Sequence, residues 1–193
     1  METTHLFGEY SFRQVTLEEI CEIISQYHDE FFENNIDFDV TDSLSESEKE
    51  AMKILSHNMG KPYRLNIAIF HGEQCIGWHY GWQENSEKFY MCNTAIFPEY
   101  RKQGVYSALL PHILSIIKKQ GFQILYSRHH STNNAVIIPK LRIGFVISGF
   151  EISDRFGTLV HLSYYFNPLR RKAMQFRTGD MRPDDELRLL LNL

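Results

Sequence analysis

Ile96-Phe-Pro-Glu-Tyr-Arg-Lys-Gln-Gly-Val-Tyr-Ser-Ala-Leu-Leu110 is the stretch on which the reading of this chain turns. A β-rich run ends at Phe97, Pro98 stops it, and a basic turn follows. From Val105 apolar residues recur at helical spacing, with Ala108, Leu109, His112, Ile113, Ile116 and Ile117 on one stripe and Gly121 as terminator. The segment reads strand, turn, helix, and Pro111 inside the helix predicts a bend. The first N–H groups of such a helix have no partner within it, and the macrodipole adds partial positive charge, so the turn suits a pyrophosphate. Gly104 lets backbone approach closely, Arg101 and Lys102 add full charges, Gln103 adds a donor and Ser107 a hydroxyl. Neither GxxxxGK[ST] nor GxGxxG is present, which excludes the two commonest phosphate loops. Taken alone, the turn is read equally well as an ordinary basic surface turn.

Upstream, Tyr10 to Val15 has strand periodicity, and Thr16-Leu-Glu-Glu19 is a capping box opening a helix with Ile20, Ile23, Ile24 and Tyr27 on one face. A polar stretch, Asn34 to Ser43, precedes a second helix beginning at Ser45 or Ser47, with Ala51, Met52, Ile54 and Leu55 as its apolar side. Three β-rich runs follow, Arg64 to Phe70, Cys75 to Gln83 and Lys88 to Phe97, joined by gaps short enough for antiparallel hairpins. Downstream, Phe122 to Tyr126 is a strand, Asn134 to Ile143 a short helix ended by Gly144, and Phe150 to Asp154 with Thr158 to Phe166 a closing hairpin. A strand, a crossover helix and a second strand in that order imply a parallel central pair.

The 193 residues, 43% hydrophobic and 13% aromatic, suit one folded domain rather than two, or a disordered chain. No apolar run approaches the length of a membrane span, and Met1 to His5 does not open a signal peptide, so a cytoplasmic protein is expected. Cys21, Cys75 and Cys92 form no CxxC pair, which argues against a disulfide framework, and no metal is expected. Net charge is −4, but residues 1–60 carry 14 acids against 3 bases, leaving the rest basic. The acids either line solvated helix faces or face a cationic partner. A nucleic-acid partner is disfavoured because the bases are spread along the chain. After Asn167-Pro168 comes a basic tail, 169–193, with Arg170, Arg171, Lys172, Arg177 and Arg182 and a short terminal helix from Asp184 to Leu191. It either packs on a partner subunit, making a homodimer, or docks on its own domain, 1–168.

Pro98 to Leu110 resembles the acyl-CoA-binding motif of the GCN5-related N-acetyltransferases (GNAT), Arg/Gln-x-x-Gly-x-Gly/Ala, with Arg101 and Gly104 matching and Tyr106 departing at the last position. Asn133-Asn134-Ala135, Lys140-Leu141 and Gly144-Phe145 resemble that family's second motif. The resemblance implies an α/β (α+β) fold: a mixed, mostly antiparallel sheet whose central parallel strands, Lys88 to Phe97 and Phe122 to Arg128, splay apart, flanked by helices. It implies acetyl-CoA as co-substrate, its arm pairing with backbone around Thr94, Ile96 and Phe97 and touching Asn133. Its diphosphate would lie on Arg101, Lys102, Gln103, Gly104, Val105, Tyr106 and Ser107. Tyr106 either crowds that diphosphate or points away.

The implied activity is direct attack by an amine on the thioester, the acceptor being a cationic small molecule or a protein amino group. A backbone N–H near Ile96 would polarise the carbonyl. The Tyr common in the family four positions before the Gly-Phe pair is replaced by Lys140, so the expected phenol is missing. His129 and His130 follow the second parallel strand; His130 is a candidate for proton transfer, or only a solvated loop residue. Tyr126 and Tyr90 are further candidates, each with a plainer reading as strand packing. His112 reads as packed on its helix, and His79, between Trp78 and Tyr80 near Trp82, either walls an acceptor pocket or fills the sheet. A non-catalytic acyl-CoA-binding module is the alternative function.

Overall fold

The alternating N-terminal residues form two strands, β1 (Thr3–Phe7) and β2 (Tyr10–Gln14), paired antiparallel around a turn at Gly8, where φ is +50°. The sequence reading placed only the second. In the computed structural model, which describes residues 2–32 and 40–193, α1 (Leu17–Phe32) then opens on the expected capping box. Glu19 N–H donates to Thr16 Oγ1 at 3.1 Å and Thr16 N–H donates to Glu19 Oε2 at 2.8 Å. Most of the polar stretch Asn34 to Ser43 lies outside the described residues.

α2 (Glu46–Asn58) starts at Ser45, with both halves of a capping box formed. Its supposed apolar side is not packed: no residue of α2 is buried, and Met52, Ile54 and Leu55 are more than half exposed. The cap and the i,i+3 pairs Lys49–Glu46 and Lys53–Glu50 hold this helix locally, each contributing little.

Strands β3 (Arg64–His71), β4 (Gln74–Gln83) and β5 (Lys88–Ile96) form the predicted hairpins. α3 (Val105–Lys119) crosses to β6 (Ile124–His130), and α4 (Asn134–Ile143) leads to the hairpin β7 (Val146–Ser153) and β8 (Gly157–Tyr165). The eight strands form one sheet in the order β1-β2-β3-β4-β5-β6-β8-β7, and only β5 and β6 run parallel. α3 continues unbroken through Pro111, so that proline does not end the helix. β6 extends through His130, so His129 and His130 stand on the strand and not in a loop after it.

Alternation sorts the sheet into two faces. Phe89, Met91, Leu125 and Leu162 meet Leu109, Leu110, Ile113 and Ile117 of α3 in the main core, which Ile137 of α4 joins. Each such side chain contributes roughly 1.5–3 kcal/mol on burial. On the opposite face, Ile20 of α1 packs with Val15, Ala68, Trp78 and Ala95. Beyond Tyr165 the tail forms α5 (Pro168–Thr178), capped by Asn167 and not expected as a helix, and α6 (Asp185–Leu191), capped by Asp184. Its bases bind the chain itself: Arg170 pairs with Glu87 at 2.9 Å, Arg171 donates to the Gly144 carbonyl, and Lys172 holds Asp184 and Glu186. Arg170 and Arg171 thus reach the preceding domain, whereas the pairs of Lys172 lie within the tail itself. No helix among the described residues is long and apolar enough to cross a membrane.

Candidate active site

The parallel pair is joined for only three residue pairs, Lys88↔Ile124, Phe89↔Leu125 and Tyr90↔Tyr126. Beyond them β5 stays with β4 and β6 stays with β8, so the facing edges Met91–Ile96 and Ser127–His130 diverge. Tyr80 opposes Asn93 while Gly81 opposes Met91, which leaves Cys92 as a bulge where the strands begin to part. Phe97 N–H donates to the Ile76 carbonyl at 2.9 Å, so by alternation the N–H and C=O of Ile96 face the gap. Arg101 Nε donates to that carbonyl at 2.7 Å, bringing the basic turn to the mouth of the opening.

In the turn, Lys102 (φ +61°) and Gly104 (φ +87°) take the left-handed conformation, and Gly104 caps α3 with no side chain on the cap. A Cβ on Gly104 would meet no atom within 4 Å, so the amides it precedes lie open. Lys102 and Ser107 are exposed. Gln103 braces the turn: its Oε1 accepts from the Tyr10 hydroxyl at 2.5 Å and its Nε2 donates to the Glu99 carbonyl at 2.8 Å. Val105 is core, and Tyr106 resolves its two readings by turning inward against the main core, its hydroxyl buried with no hydrogen-bond partner among the described residues. The Phe97 ring lies 4.6 Å from that of Tyr27, on the α1 face, and its N–H is already taken, so Phe97 offers the gap nothing. Asn133 precedes α4 without capping it.

The features fit a peptide-like arm ending in a diphosphate. Strand edges without a ladder partner and an uncapped helix N-terminus both need polar partners. A further sign is His79, fully buried on the α3 face: its Nδ1 lies 2.8 Å from Thr94 Oγ1, and its Nε2 has no partner among the described residues.

On the other face, beside the joined start of β5 and β6 and across β6, β8 and β7, opens a cleft of about 380 Å³ lined by Glu84, Tyr126, Arg128, Glu151 and His161 among others. The Tyr126 hydroxyl donates to Glu84, and Arg128 Nε donates to the Tyr90 hydroxyl at 3.2 Å. Burial, and for Tyr126 also Glu84, holds both phenols above their usual range, so they are donors and not bases at neutral pH. Glu151 is occupied by Arg128 at 3.1 Å and His161 at 2.8 Å, contacts that keep its carboxyl below the usual range. His130, at the exposed end of β6, shares the face of Tyr126 and Arg128. Glu84 and Glu151 went unnoticed in the sequence because nothing in their spacing places them opposite Tyr126. Of the two tryptophans, Trp78 is fully buried under α1 and Trp82 stacks beside Tyr80. His112 packs edge-on against Phe12 at 5.2 Å.

Comparison with known proteins gives the site a context. The chain has 82% of its length in common with the ribosomal-protein-S18-alanine N-acetyltransferase of Escherichia coli, over 94% of that chain, at 19% identity and a TM-score of 0.57. The ribosomal-protein-S5-alanine acetyltransferase of Vibrio fischeri aligns over 86% of this chain and 97% of its own, at 11% identity and a TM-score of 0.61. A GNAT family acetyltransferase of Elizabethkingia anophelis, solved with acetyl-CoA bound, aligns over 83% and 100%, at 11% identity and a TM-score of 0.54. At such identities these establish the fold. No curated protein matches at the sequence level. The model of the acetyltransferase (GNAT) family matches residues 19–145, which span the first helix, the splayed strands, the glycine turn and α4. The chain therefore belongs to the GNAT family of acetyltransferases.

Proposed function

We propose that this acetyltransferase moves the acetyl group of acetyl-CoA directly to a primary amine in a ternary complex, and that the amine belongs to a protein, most simply an N-terminal amino group. The observation that carries the reading is the gap between β5 and β6 with an open, glycine-preceded helix N-terminus at its mouth. The choice of acceptor is supported by the fold neighbours named for acetylating ribosomal-protein alanines.

Acetyl-CoA, when bound, supplies an acyl carbon activated as a thioester. The amides at 104–107, with Arg101 and Lys102, hold the diphosphate. Thr94, Ile96 and Asn133 line the arm's path, and the Ile96 N–H polarises the carbonyl. The cleft on the α1 face admits the acceptor. There Glu84, which takes part in no ion pair among the described residues, is placed to accept the ammonium proton, and Tyr126, Tyr90 and His130 orient the amine. Tyr106, which departs from the motif, is turned into the core and leaves the cradle clear, which speaks against the alternative of a non-catalytic module. A cytoplasmic location is supported by three free cysteines.

The test is incubation with acetyl-CoA and short peptides whose N-termini are free or blocked, following CoA thiol release and peptide mass. Acetylation confined to free amines is expected. Binding of acetyl-CoA with no transfer to any peptide or small amine would overturn the reading in favour of the module.

A further inference from the structure

A row of aromatic rings crosses the α1 face of the sheet at the vertex where β5 and β6 part. Tyr90 and Tyr126, the last ladder pair, mark that vertex, and their rings lie 5.0 Å apart. Toward β4 the row continues to Trp82, 5.2 Å from Tyr90 and at 76° to it, and then to Tyr80, 6.3 Å from Trp82 and within 19° of parallel. The Tyr80 and Tyr90 hydroxyls both reach the thiol of Cys92, the bulge at the vertex. Behind the vertex, on the α3 face, Lys140 is 1% exposed and donates from Nζ to Ser127 Oγ at 2.5 Å.

The row lies outside the packed cores. Among the described residues, only Tyr80 of these four touches the apolar cluster under α1, and α2, exposed along nearly its whole length, does not cover them. Tyr80, Trp82 and Tyr126 stay half-buried, so ring surface beside the reaction centre is left in water. Covering such surface is favourable. Charge decides what covers it. The ring faces that would attract a cation already carry one, since Arg64 Cζ lies 5.8 Å from the centre of the Trp82 ring and Arg128 Cζ lies 4.8 Å from that of Tyr90. A second cation would be repelled there. An anion is not called for either: Arg128 is already held by Glu151, and Arg64 is exposed, where an ion pair contributes little. An apolar or aromatic side chain remains.

We propose that Trp82 and Tyr80 form a specificity shelf for the acceptor: the residue at or next to its amine is aromatic or large and apolar, and lies against these rings. The shelf is continuous with the cleft, because Tyr126 lines the cleft and stands next to Tyr90 in the row. An acceptor whose chain occupies the cleft therefore reaches Trp82 by crossing β5, and in doing so its amine is brought over the vertex. Neither Trp82 nor Tyr80 touches the reacting atoms; they select the acceptor. The assignment names the acceptor class for the acetyl-transfer reading above and rests on it.

The test is a panel of short peptides with Phe, Leu, Ser, Asp or Lys at the first or second position, scored as kcat/KM with acetyl-CoA relative to the Ser peptide. In the parent protein, Phe at one of the two positions should be favoured about tenfold, chiefly through KM, with Leu next and Lys no better than Ser. Trp82→Ala should bring the Phe/Ser ratio near one, with Trp82→Thr in its place if the alanine variant does not fold. Trp82→Phe should keep most of the ratio, and Arg64→Gln, which removes the charge over the ring, should raise the Lys/Ser ratio. No preference for Phe in the parent, a preference for Asp or Lys, or a Phe/Ser ratio that survives Trp82→Ala overturns the proposal. A readout free of turnover separates it from the reading it rests on. Of the two tryptophans Trp78 is fully buried, so acrylamide quenching reports chiefly Trp82 in the parent and only Trp78 in Trp82→Phe. An N-acetylated Phe peptide added with CoA should shield the parent and leave Trp82→Phe unchanged. Shielding without transfer to any free amine would sink the acetyl-transfer reading and leave the shelf standing, whereas transfer without shielding would sink the shelf.

Discussion

Gly104 offers the sharpest handle on the cradle, because it separates backbone from charge. It caps α3 at φ +87°, and a Cβ there meets no heavy atom within 4 Å. Gly104→Ala therefore adds a methyl to open space, and its cost is the left-handed backbone alone, about 1–2 kcal/mol of stability. Gly104→Glu carries the same strain plus a carboxylate. Against one phosphate charge about 5 Å away, at an effective dielectric near 20, that carboxylate costs about 3 kcal/mol, or roughly a hundredfold in Kd. Titration calorimetry with acetyl-CoA should show near-parental affinity for the alanine variant and a loss of that order for the glutamate variant, reduced at high salt. Near-parental affinity for both variants would refute a diphosphate held at this turn, and an equal loss in both would mean that the backbone, not charge, is at issue.

Other consequences are as direct. Tyr106→Phe deletes a buried hydroxyl that has no partner among the described residues, and should raise stability by about 1 kcal/mol and Tm by roughly 2–4 °C in a thermal melt. Leu55→Ala, on the exposed face of α2, should change denaturant stability by less than about 0.5 kcal/mol, whereas Leu109→Ala in the core should cost about 2–5 kcal/mol. His79 and His129 titrate near 3 in the folded chain against 6.5 when unfolded, so between those values the unfolded state binds protons that the folded state does not. Stability should fall as pH drops from 6.5 toward 3, and His79→Gln with His129→Gln should flatten that slope in denaturant titrations.

Local signals were legible where the chain's own chemistry closes them. The capping box at Thr16 forms with the residues named, α2 starts from Ser45, one of the two serines expected, the hairpins around β4 fall where short gaps require, and α3 follows its apolar spacing. Errors arose where partners from afar decide. The apolar residues of α2 have helical spacing but nothing among the described residues covers them, since periodicity states that a face exists and not that something packs on it. β6 reaches His130 because β8, a strand far along the chain from any local cue, supplies ladder partners as far as Leu159. For the basic tail the sequence offered a partner subunit or its own domain, and its charges find Glu87, Asp184 and Glu186 only once the chain has folded.

The sequence by itself determined the order of elements from β2 to β8, the glycine turn ahead of α3 and the family, because each rests on residues close together in the chain whose backbone preferences and spacing act locally. Only the tertiary structure decided which way Tyr106 points, that Glu84 and Tyr126 share a cleft, and that Lys140 lies buried at the vertex of two parting strands. Burial, and with it the charge state of an amine, depends on what other segments bring to it, and no local pattern encodes that company.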